Sequence, residues 1–352
     1  MKNRITTLLV GLGLLSTTAY GQPPRIVVQG AGSPQVFSSI NAALAAAQPN
    51  DKLYLSGGAF NSAAQLVIDK PLHWIGAGIN PTTTAVTGTT TLQTTAGDIV
   101  ITTAASGSTF TGITFTSGGS QVYYGLTAAD DDPQNMVFER CRFTSETVLG
   151  RDVLVGSTTT FEDCIFNHHV YGSNAGGTFN RCIFDYQTGT SSAINSFSPL
   201  TISHCVFLNV QAFRNSGSAY MENSICTSTT SSIVYQSGGS TITNCIFSSL
   251  SVIGNSTGII FTNNQIGVPA AGIFVNEVDG DHQFTDDLHM AVGSPGIGAA
   301  NDATDAGIYG SGTPFKTGNL PFNPHADSAV IGASTNANSE LPVNITVIAQ
   351  PN

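Results

Sequence analysis

The sequence predicts an all-β solenoid built from short parallel coils, and three observations lead to it. A six-residue pattern (apolar, polar, polar, Cys, apolar, Phe) recurs along the middle of the chain. Its copies begin at positions 110, 138, 161, 179, 202, 221, 242 and 261; Ser replaces Cys in the copy at 221, Asn replaces it in the copy at 261, and the copy at 110 is weaker. The copies are β-type segments separated by Gly, Ser and Asn turns, and such a repeat with a period of about twenty residues is typical of a solenoid.

The first 21 residues have the features of an export signal. Lys2 and Arg4 give a positive start, residues 8–15 form an apolar centre, and a small-x-small pattern precedes Gln22. The apolar run is too short to cross a bilayer, and no later stretch is long enough. We therefore expect cleavage near Gly21 and a secreted mature protein, extracellular, on the cell surface or in the periplasm, with no membrane span.

The charge balance excludes some partners. The net charge of −11 becomes −13 when Lys2 and Arg4 leave with the signal, and nine Lys and Arg remain of the eleven. Nucleic acids and anionic membranes repel such a chain. Charged residues are only 9% of the sequence, but hydrophobic residues reach 41% and are regularly placed, which favours a folded core over disorder. A monomer is expected.

Five of the six cysteines share one phase of the repeat, and Cys226 lies two places further on; the five are Cys141, Cys164, Cys182, Cys205 and Cys245. Residues at one phase of a parallel coil stack about 4.8 Å apart, which suits a column of buried thiols. Disulfides between neighbours are also geometrically open. There is no CxxC and no paired His spacing, so no metal and no cofactor is indicated. Calcium is left open, although no calcium-loop spacing points to it.

The N-terminal residues predict a cap. Residues 26–29, 52–55 and 66–68 read as strands, and residues 37–47 as a short amphipathic helix. Residues 35–78 resemble the cap and first coil of pectin-lyase-like right-handed parallel β-helix proteins of the secreted bacterial type. The shared layout runs from the helix through an Asp-x-apolar-x-apolar strand and Phe60 to Gly76-Ala77-Gly78. The resemblance implies a right-handed parallel β-helix with a short N-terminal helical cap.

The C-terminal residues predict a second cap. Residues 293–298 and 305–310 resemble the closing segment of secreted bacterial β-helix proteins. Residues 313–324 form a Pro/Gly/Asn-rich connector, and residues 329–334 and 341–348 read as a β-hairpin. The predicted layout is therefore a signal peptide at 1–21, an N-terminal cap and first coil at 22–80, a parallel β-helix at 81–310, and a connector with a β-hairpin cap at 311–352.

The resemblance also implies where a ligand would bind, because the substrate face of the family is the first strand of each coil and the turn before it. The residues eight places before the hexads are predicted to point inward; they are Val153, Tyr171, Ile194, Phe213, Val234 and Ile253. Among the outward neighbours, Asp152, Asn195, Arg214 and Tyr235 suit sugar recognition, with His169 in an adjoining turn. A solvent-exposed face without a ligand is the alternative.

A second candidate site lies inside the hexads. Glu139 and Glu162 share one phase and are expected near 5 Å apart, about the separation used by retaining glycosidases. Arg140, Asp163 and Arg181 share the next phase, so a surface ion ladder is the simpler interpretation.

The catalytic residue sets of the family's lyases, hydrolases and esterases are missing from this sequence. The prediction is therefore a secreted, non-catalytic or divergent protein that interacts with a polysaccharide or cell-surface glycan. A polysaccharide lyase or glycoside hydrolase with a non-standard site is one alternative, and a structural or adhesive solenoid is the other. Whether the chain is an enzyme stays open.

Overall fold

The computed structural model describes residues 24–119, 121–152, 156–186, 192–322, 324–331, 334–335 and 337–349. The predicted signal peptide and Val153 lie outside these ranges. Among these described residues, strands make up 40% and helices 3%, and long parallel stacks of strands confirm the predicted β-helix.

The N-terminal elements are β1 (Ile26–Gln29), β2 (Gln35–Phe37), α1 (Ile40–Ala46), β3 (Lys52–Leu55), β4 (Gly58–Ser62), β5 (Leu66–Ile68) and β6 (His73–Ile75). The first coils continue with β7 (Thr90–Thr94), β8 (Ile99–Ile101), a 3-10 turn (Thr103–Ala105), β9 (Thr109–Thr111), β10 (Thr114–Thr116), β11 (Gln121–Tyr124), β12 (Met136–Glu139), β13 (Arg142–Phe143) and β14 (Glu146–Val148).

The middle coils contain β15 (Thr158–Glu162), β16 (Ile165–Phe166), β17 (Val170–Asn180), β18 (Ile183–Phe184), β19 (Ser192–Ser203), β20 (Val206–Phe207), β21 (Gln211–Arg214) and β22 (Tyr220–Glu222). The last elements are β23 (Ile225–Cys226), β24 (Val234–Tyr235), β25 (Thr241–Thr243), β26 (Ile246–Phe247), β27 (Ile253–Gly254), β28 (Ile260–Thr262), β29 (Phe274–Asn276), β30 (Asp287–Met290), β31 (His325–Ile331) and β32 (Val343–Ile348).

The coils stack into three parallel faces, which each coil visits in the order A, B, C. Face A consists of β5, β8, β11, β14, β17, β19, β21, β24 and β27. Face B consists of β3, β6, β9, β12, β15, β17, β19, β22, β25 and β28. Face C consists of β4, β7, β10, β13, β16, β18, β20, β23 and β26. Strands β17 and β19 run from face A into face B without a break.

The first and last residues of the hexads build the core, except in the last hexad, where Phe261 is half-buried and Ile266 is exposed. The first residue points inward from face B, where Phe110, Phe138, Phe161 and Phe179 stack with ring centroids 4.7–5.2 Å apart. The last residue points inward from face C, and it meets the first column edge-on, as Phe143 does with Phe161 at 5.7 Å. These rings are buried, so the hexad repeat is a core-packing repeat.

In the eight coils that contain a hexad, a tight turn follows the face B strand, and its first residue has a positive φ. This position is occupied by Gly112, Arg140, Asp163, Arg181, His204, Asn223, Asn244 and Asn263, with φ between 50° and 67°. Asn and Asp tolerate this left-handed conformation better than most residues, which explains their frequency here.

The cysteine column follows directly after that turn residue. All six cysteines are buried free thiols, as the sequence favoured. The thiols in the column bond the carbonyl of the hexad's first residue in the preceding coil, as Cys205 Sγ does with Phe179 O at 3.3 Å. Ser224 takes the same position in its coil, where its Oγ accepts from the Cys205 N–H at 3.0 Å. Burial raises the pKa of Cys245 to about 12, so its thiol is unreactive at neutral pH.

The segment 268–322, which we call the strap, runs back along the outside of face C. Outward residues of face C form an apolar column, Ile165, Ile183, Val206, Ile225 and Ile246, and all five are buried. They form a second hydrophobic cluster with strap residues that include Ile273, Leu288, Ile308 and Phe315. The coils end at Gln265, which bridges to Ile246, so the part of the predicted helix body after this point covers coils instead of forming one.

Two elements lie at the N-terminal end. Helix α1 begins after Ser39, whose side chain accepts from the Ala42 N–H at 3.5 Å; Phe37, predicted to be helical, belongs to β2. The predicted C-terminal hairpin is confirmed as antiparallel β31 and β32. Its base lies beside the first coils, where His325 and Tyr54 line a cleft of about 260 Å³.

Candidate functional site

The outward side of face A carries a column of four polar or aromatic residues in adjacent coils. Tyr171 pairs with Asn195, Asn195 with Arg214, and Arg214 with Tyr235. All four are partly exposed. Three of them, Asn195, Arg214 and Tyr235, were predicted as site residues, and the structure brings them together. We call these four residues the face A column.

Tyr171 was predicted to point inward, and this prediction was wrong. Val170 is the residue in register with Ile194, and the inward column continues through Phe213 and Val234. The corner between faces A and B is one residue longer in β17 than in β19. Tyr171 pairs with Asn195 and Gly177 pairs with Leu200, so the same corner spans six residue steps in β17 and five in β19. The fixed spacing of eight residues therefore fails in this coil, and only the apolar character of Val170 could have signalled it.

The column residues contact one another. The Arg214 guanidinium lies over the Tyr235 ring, 5.5 Å from its centroid. Its Nε is buried and has no hydrogen-bond partner among the described residues. Asn195 Oδ1 accepts from Ser196 Oγ at 2.9 Å and from Asn215 Nδ2 at 3.1 Å, which fixes the amide. Burial raises the pKa of Tyr171, so the phenol remains a neutral donor at physiological pH.

An aromatic wall stands beside the column at the corner between faces C and A. Tyr186 packs against His169 with ring centroids 4.0 Å apart, and against His168 at 4.4 Å. His169 in turn lies 5.6 Å from Tyr171. The predicted site residue His169 is thus in place next to the column, although it is buried. Tyr186 was not predicted, because turn lengths at this corner vary from coil to coil.

The histidines of the wall are neutral at pH 7. His169 Nδ1 donates to Ser192 O at 2.9 Å, which leaves Nε2 as the acceptor. Burial lowers the pKa of His169, and burial likewise lowers that of His168. The wall therefore offers ring faces and hydrogen-bonding nitrogens rather than positive charge.

Asp152, the fifth predicted residue, lies at the corner between faces A and B. In its coil the position that pairs with Tyr171 is held by Val148. The Asp152 N–H donates to Asp131 Oδ2 at 3.1 Å. Burial and the nearby carboxylates of Asp131 and Asp152 raise the pKa of Asp132. The structure therefore groups Asp152 with the acidic loop at 130–132 and not with the face A column.

The hexad carboxylates form an ion ladder, as the simpler of the two interpretations predicted, but the ladder is not a surface one, because Arg140 and Asp163 are buried. Glu139 and Glu162 are neighbours in register on face B. Arg181 Nε lies 2.7 Å from Asp163 Oδ1, and its Nη2 lies 3.8 Å from Glu162 Oε2. Arg140 Nε lies 3.5 Å from Asp163 Oδ2 and 3.9 Å from Glu139 Oε1. Because both glutamates are paired with guanidinium groups, neither is placed as a free acid or nucleophile.

In the part of the chain that the structure describes, no three His, Cys, Asp or Glu side chains are arranged to hold a metal ion. None of the described helices is long and apolar enough to cross a membrane. Comparison of the chain with family models, with curated proteins and with solved structures finds no match in any of the three.

Proposed function

We propose that this chain is an exported β-helix protein that binds a polysaccharide along face A without cleaving it. The observation that carries the proposal is the face A column, Tyr171–Asn195–Arg214–Tyr235, with the aromatic wall beside it. The export signal in residues 1–21 and the resemblance to a polysaccharide-active superfamily support it.

The column has the chemistry that sugar binding requires. Two tyrosine rings at its ends supply apolar faces with polar tips, and the amide and the guanidinium between them supply hydrogen bonds. Four rungs about 4.8 Å apart span roughly 14 Å, which accommodates more than one sugar ring of an extended chain. The Arg214 side chain is partly exposed, so its guanidinium can donate to sugar oxygens.

The positions of the carboxylates do not suit hydrolysis of a polysaccharide bound on face A. Glycoside hydrolysis needs two carboxyl groups on opposite sides of the scissile bond. The column itself contains none, and the paired Glu139 and Glu162 lie on face B. Glu146, in the coil before Tyr171, accepts from Gln121 Nε2 at 3.3 Å. A single engaged carboxylate of this kind does not provide the acid and base pair.

A polysaccharide panel tests the proposal. The mature chain, residues 22–352, is run by affinity electrophoresis in gels that contain neutral or acidic polysaccharides, and the same mixtures are assayed for new reducing ends and for unsaturated products. We expect retention by at least one polysaccharide and no release. Release would establish a lyase or hydrolase instead. Migration unchanged across the panel would leave a structural solenoid as the better description.

A further inference from the structure

The last coil of the helix is open on one side. Strands β27 and β28 pair with β24 and β25, and no described strand pairs with their other edge. The Ile260 N–H donates to Ser240 O at 2.9 Å, so the backbone groups of Ile260 face the preceding coil. Successive residues of a strand face opposite neighbours, and the Phe261 N–H and C=O therefore point out of the open end. The Phe261 side chain, which would be buried in an interior coil, is only partly covered. At the other end, α1 and β1 close the first coil.

The C-terminal hairpin has an uncovered apolar face. Val343, Ile345 and Val347 alternate along β32 and are 54–58% exposed. Their cross-strand neighbours include Ala326 and Ala329, whereas the opposite face is mixed and pairs Ser328 with Thr346 and Val330 with Asn344. Such alternation is typical of a strand with one buried face. Among the described residues β31 and β32 pair only with each other, and an isolated two-stranded hairpin is marginally stable.

The hairpin cannot close the open coil of its own chain. Phe322 is anchored over Arg140, in the coil of β12, and β28 lies six rungs further along face B, roughly 29 Å away. The hairpin begins three residues after Phe322, a reach of about 11 Å at most. The cleft beside Tyr54 shows that the chain turns the other way, towards the first coil.

We propose that the hairpin of one copy completes the open coil of a second copy, adding its two strands to β28 as the next rungs of face B. The outward-pointing Phe261 backbone groups would gain partners, as in other strand additions. Every second side chain of β32 points to the same face, so its apolar residues would point inward on the added strand and extend the core beyond Phe261; they are Val343, Ile345 and Val347. The contact joins different surfaces on the two copies, so it can repeat head to tail. This proposal does not depend on glycan binding, and it departs from the monomer expected from the sequence.

A symmetric pairing of two hairpins fits less well. Each apolar face is roughly 20 Å by 10 Å, so two facing hairpins would bury about 400 Å² in total, below the roughly 1,000 Å² that a specific interface needs. It would also leave the edge of β28 unpaired, which is a site for unwanted strand pairing.

Sedimentation velocity over a range of concentrations, applied to two complementary variants, distinguishes the head-to-tail contact from the symmetric pairing of hairpins. Ile345→Asp disables the hairpin face, and Phe261→Asp disables the open end; Ile259→Asp serves as a second end variant if Phe261→Asp alters the circular dichroism spectrum. We expect the wild type to form species that grow with concentration. Each variant alone should be monomeric, and an equimolar mixture should form a dimer and nothing larger. Val330→Asp, on the opposite hairpin face, is the matched control and should associate like the wild type.

Other outcomes would overturn the proposal. A wild-type protein that remains monomeric at the highest concentration would contradict the proposal. Dimers of the end variants alone would establish hairpin-to-hairpin pairing. Dimers of Ile345→Asp alone would establish contact between two open ends.

Discussion

The guanidinium of Arg140 lies against the ring of Phe322, with its carbon 3.8 Å from the ring centroid. The contact joins the strap to a left-handed turn residue between faces B and C. The same turn column contacts the strap at other coils: His204 Nδ1 donates to Gly307 O at 3.2 Å, and Asn223 Nδ2 donates to Asn301 Oδ1 at 2.9 Å. The strap therefore docks on the turn column, which directly follows the glutamates that suggested a catalytic site.

Replacing Arg140 with Ala is expected to lower the free energy of unfolding by about 2–4 kcal/mol, because the buried carboxylate of Asp163 would lose one of its two guanidinium partners. Guanidinium chloride denaturation of the mature protein measures this loss. Arg25→Ala, at an exposed position, is the control and should change stability by less than about 0.5 kcal/mol. Equal effects of the two substitutions would contradict a structural role for the ladder.

The cysteine column predicts different outcomes for two substitutions at one position. Cys205 Sγ accepts from the Cys182 N–H at 3.4 Å, and Ser224 shows that a hydroxyl can take the equivalent role. Cys205→Ser should therefore lower the free energy of unfolding by about 1 kcal/mol or less, whereas Cys205→Val should lower it by about 1–3 kcal/mol, because it leaves a buried N–H unpaired. Thermal and chemical denaturation of both variants test the order, and the reverse order would show that packing dominates.

Thiol titration tests the state of the cysteines directly. All six thiols are free and buried. We expect six reactive thiols when the protein is denatured without reductant, and almost none in the native protein, because burial holds the thiols away from solvent and raises the pKa of Cys164, Cys205 and Cys226. Finding four or fewer after denaturation would mean that a disulfide forms in the column.

Two groups at the strap interface should give opposing pH dependences. Burial raises the pKa of Asp185 to about 6, and burial lowers that of His282 to about 4. The folded protein holds the Asp185 proton at pH values where the unfolded chain has lost it, so this group reduces stability as pH rises from about 4 to 6. His282 is neutral when folded but protonated when unfolded over that window, so it increases stability as pH rises.

Single variants separate these two contributions. In the wild type the two contributions oppose each other. In Asp185→Asn only the contribution of His282 is left, so the free energy of unfolding should rise by roughly 2–3 kcal/mol from pH 4 to pH 6 relative to the wild-type profile. In His282→Phe, it should fall by a similar amount. Denaturation at several pH values measures both profiles. Two variants with parallel profiles would contradict the assignment.

Glycan retention should depend on individual residues of the face A column. Tyr235→Ala and Arg214→Ala are each expected to weaken binding about tenfold or more, because the first removes an aromatic ring face and the second removes a charged hydrogen-bond donor from the column. Affinity electrophoresis at several polysaccharide concentrations gives the dissociation constants. Thr178→Ala, on the outward side of face B, is the matched control. Equal retention of all three variants would place the binding surface elsewhere.

The repeat explains why the architecture could be predicted and part of the site could not. Each hexad contains the end of one strand, a turn and the start of the next strand, with its core residues at fixed positions. The coils, the cysteine column and the ion ladder could therefore be predicted from the spacing of the hexads alone. Tyr171 was misplaced because one extra corner residue changes the face on which a side chain lies. The strap was missed because its partners are far apart in sequence, as Ile308 and Ile183 are. The adjacent apolar residues Ile165 and Phe166 were the one available signal that both sides of face C are covered.

The strap changes how such a solenoid holds together. A stack of coils is ordinarily a one-dimensional object in which each repeat contacts only its neighbours, so its ends can fray independently. Here the strap contacts Asn244 near one end, through Ala299 O at 3.1 Å, and Thr83 near the other, whose Oγ1 donates to Gly318 O at 2.7 Å. Opening any coil between them breaks contacts with a segment that also holds the rest. The chain ties its own repeats into a single cooperative unit, and it does so only once the strap, which follows the coils in sequence, has been synthesised.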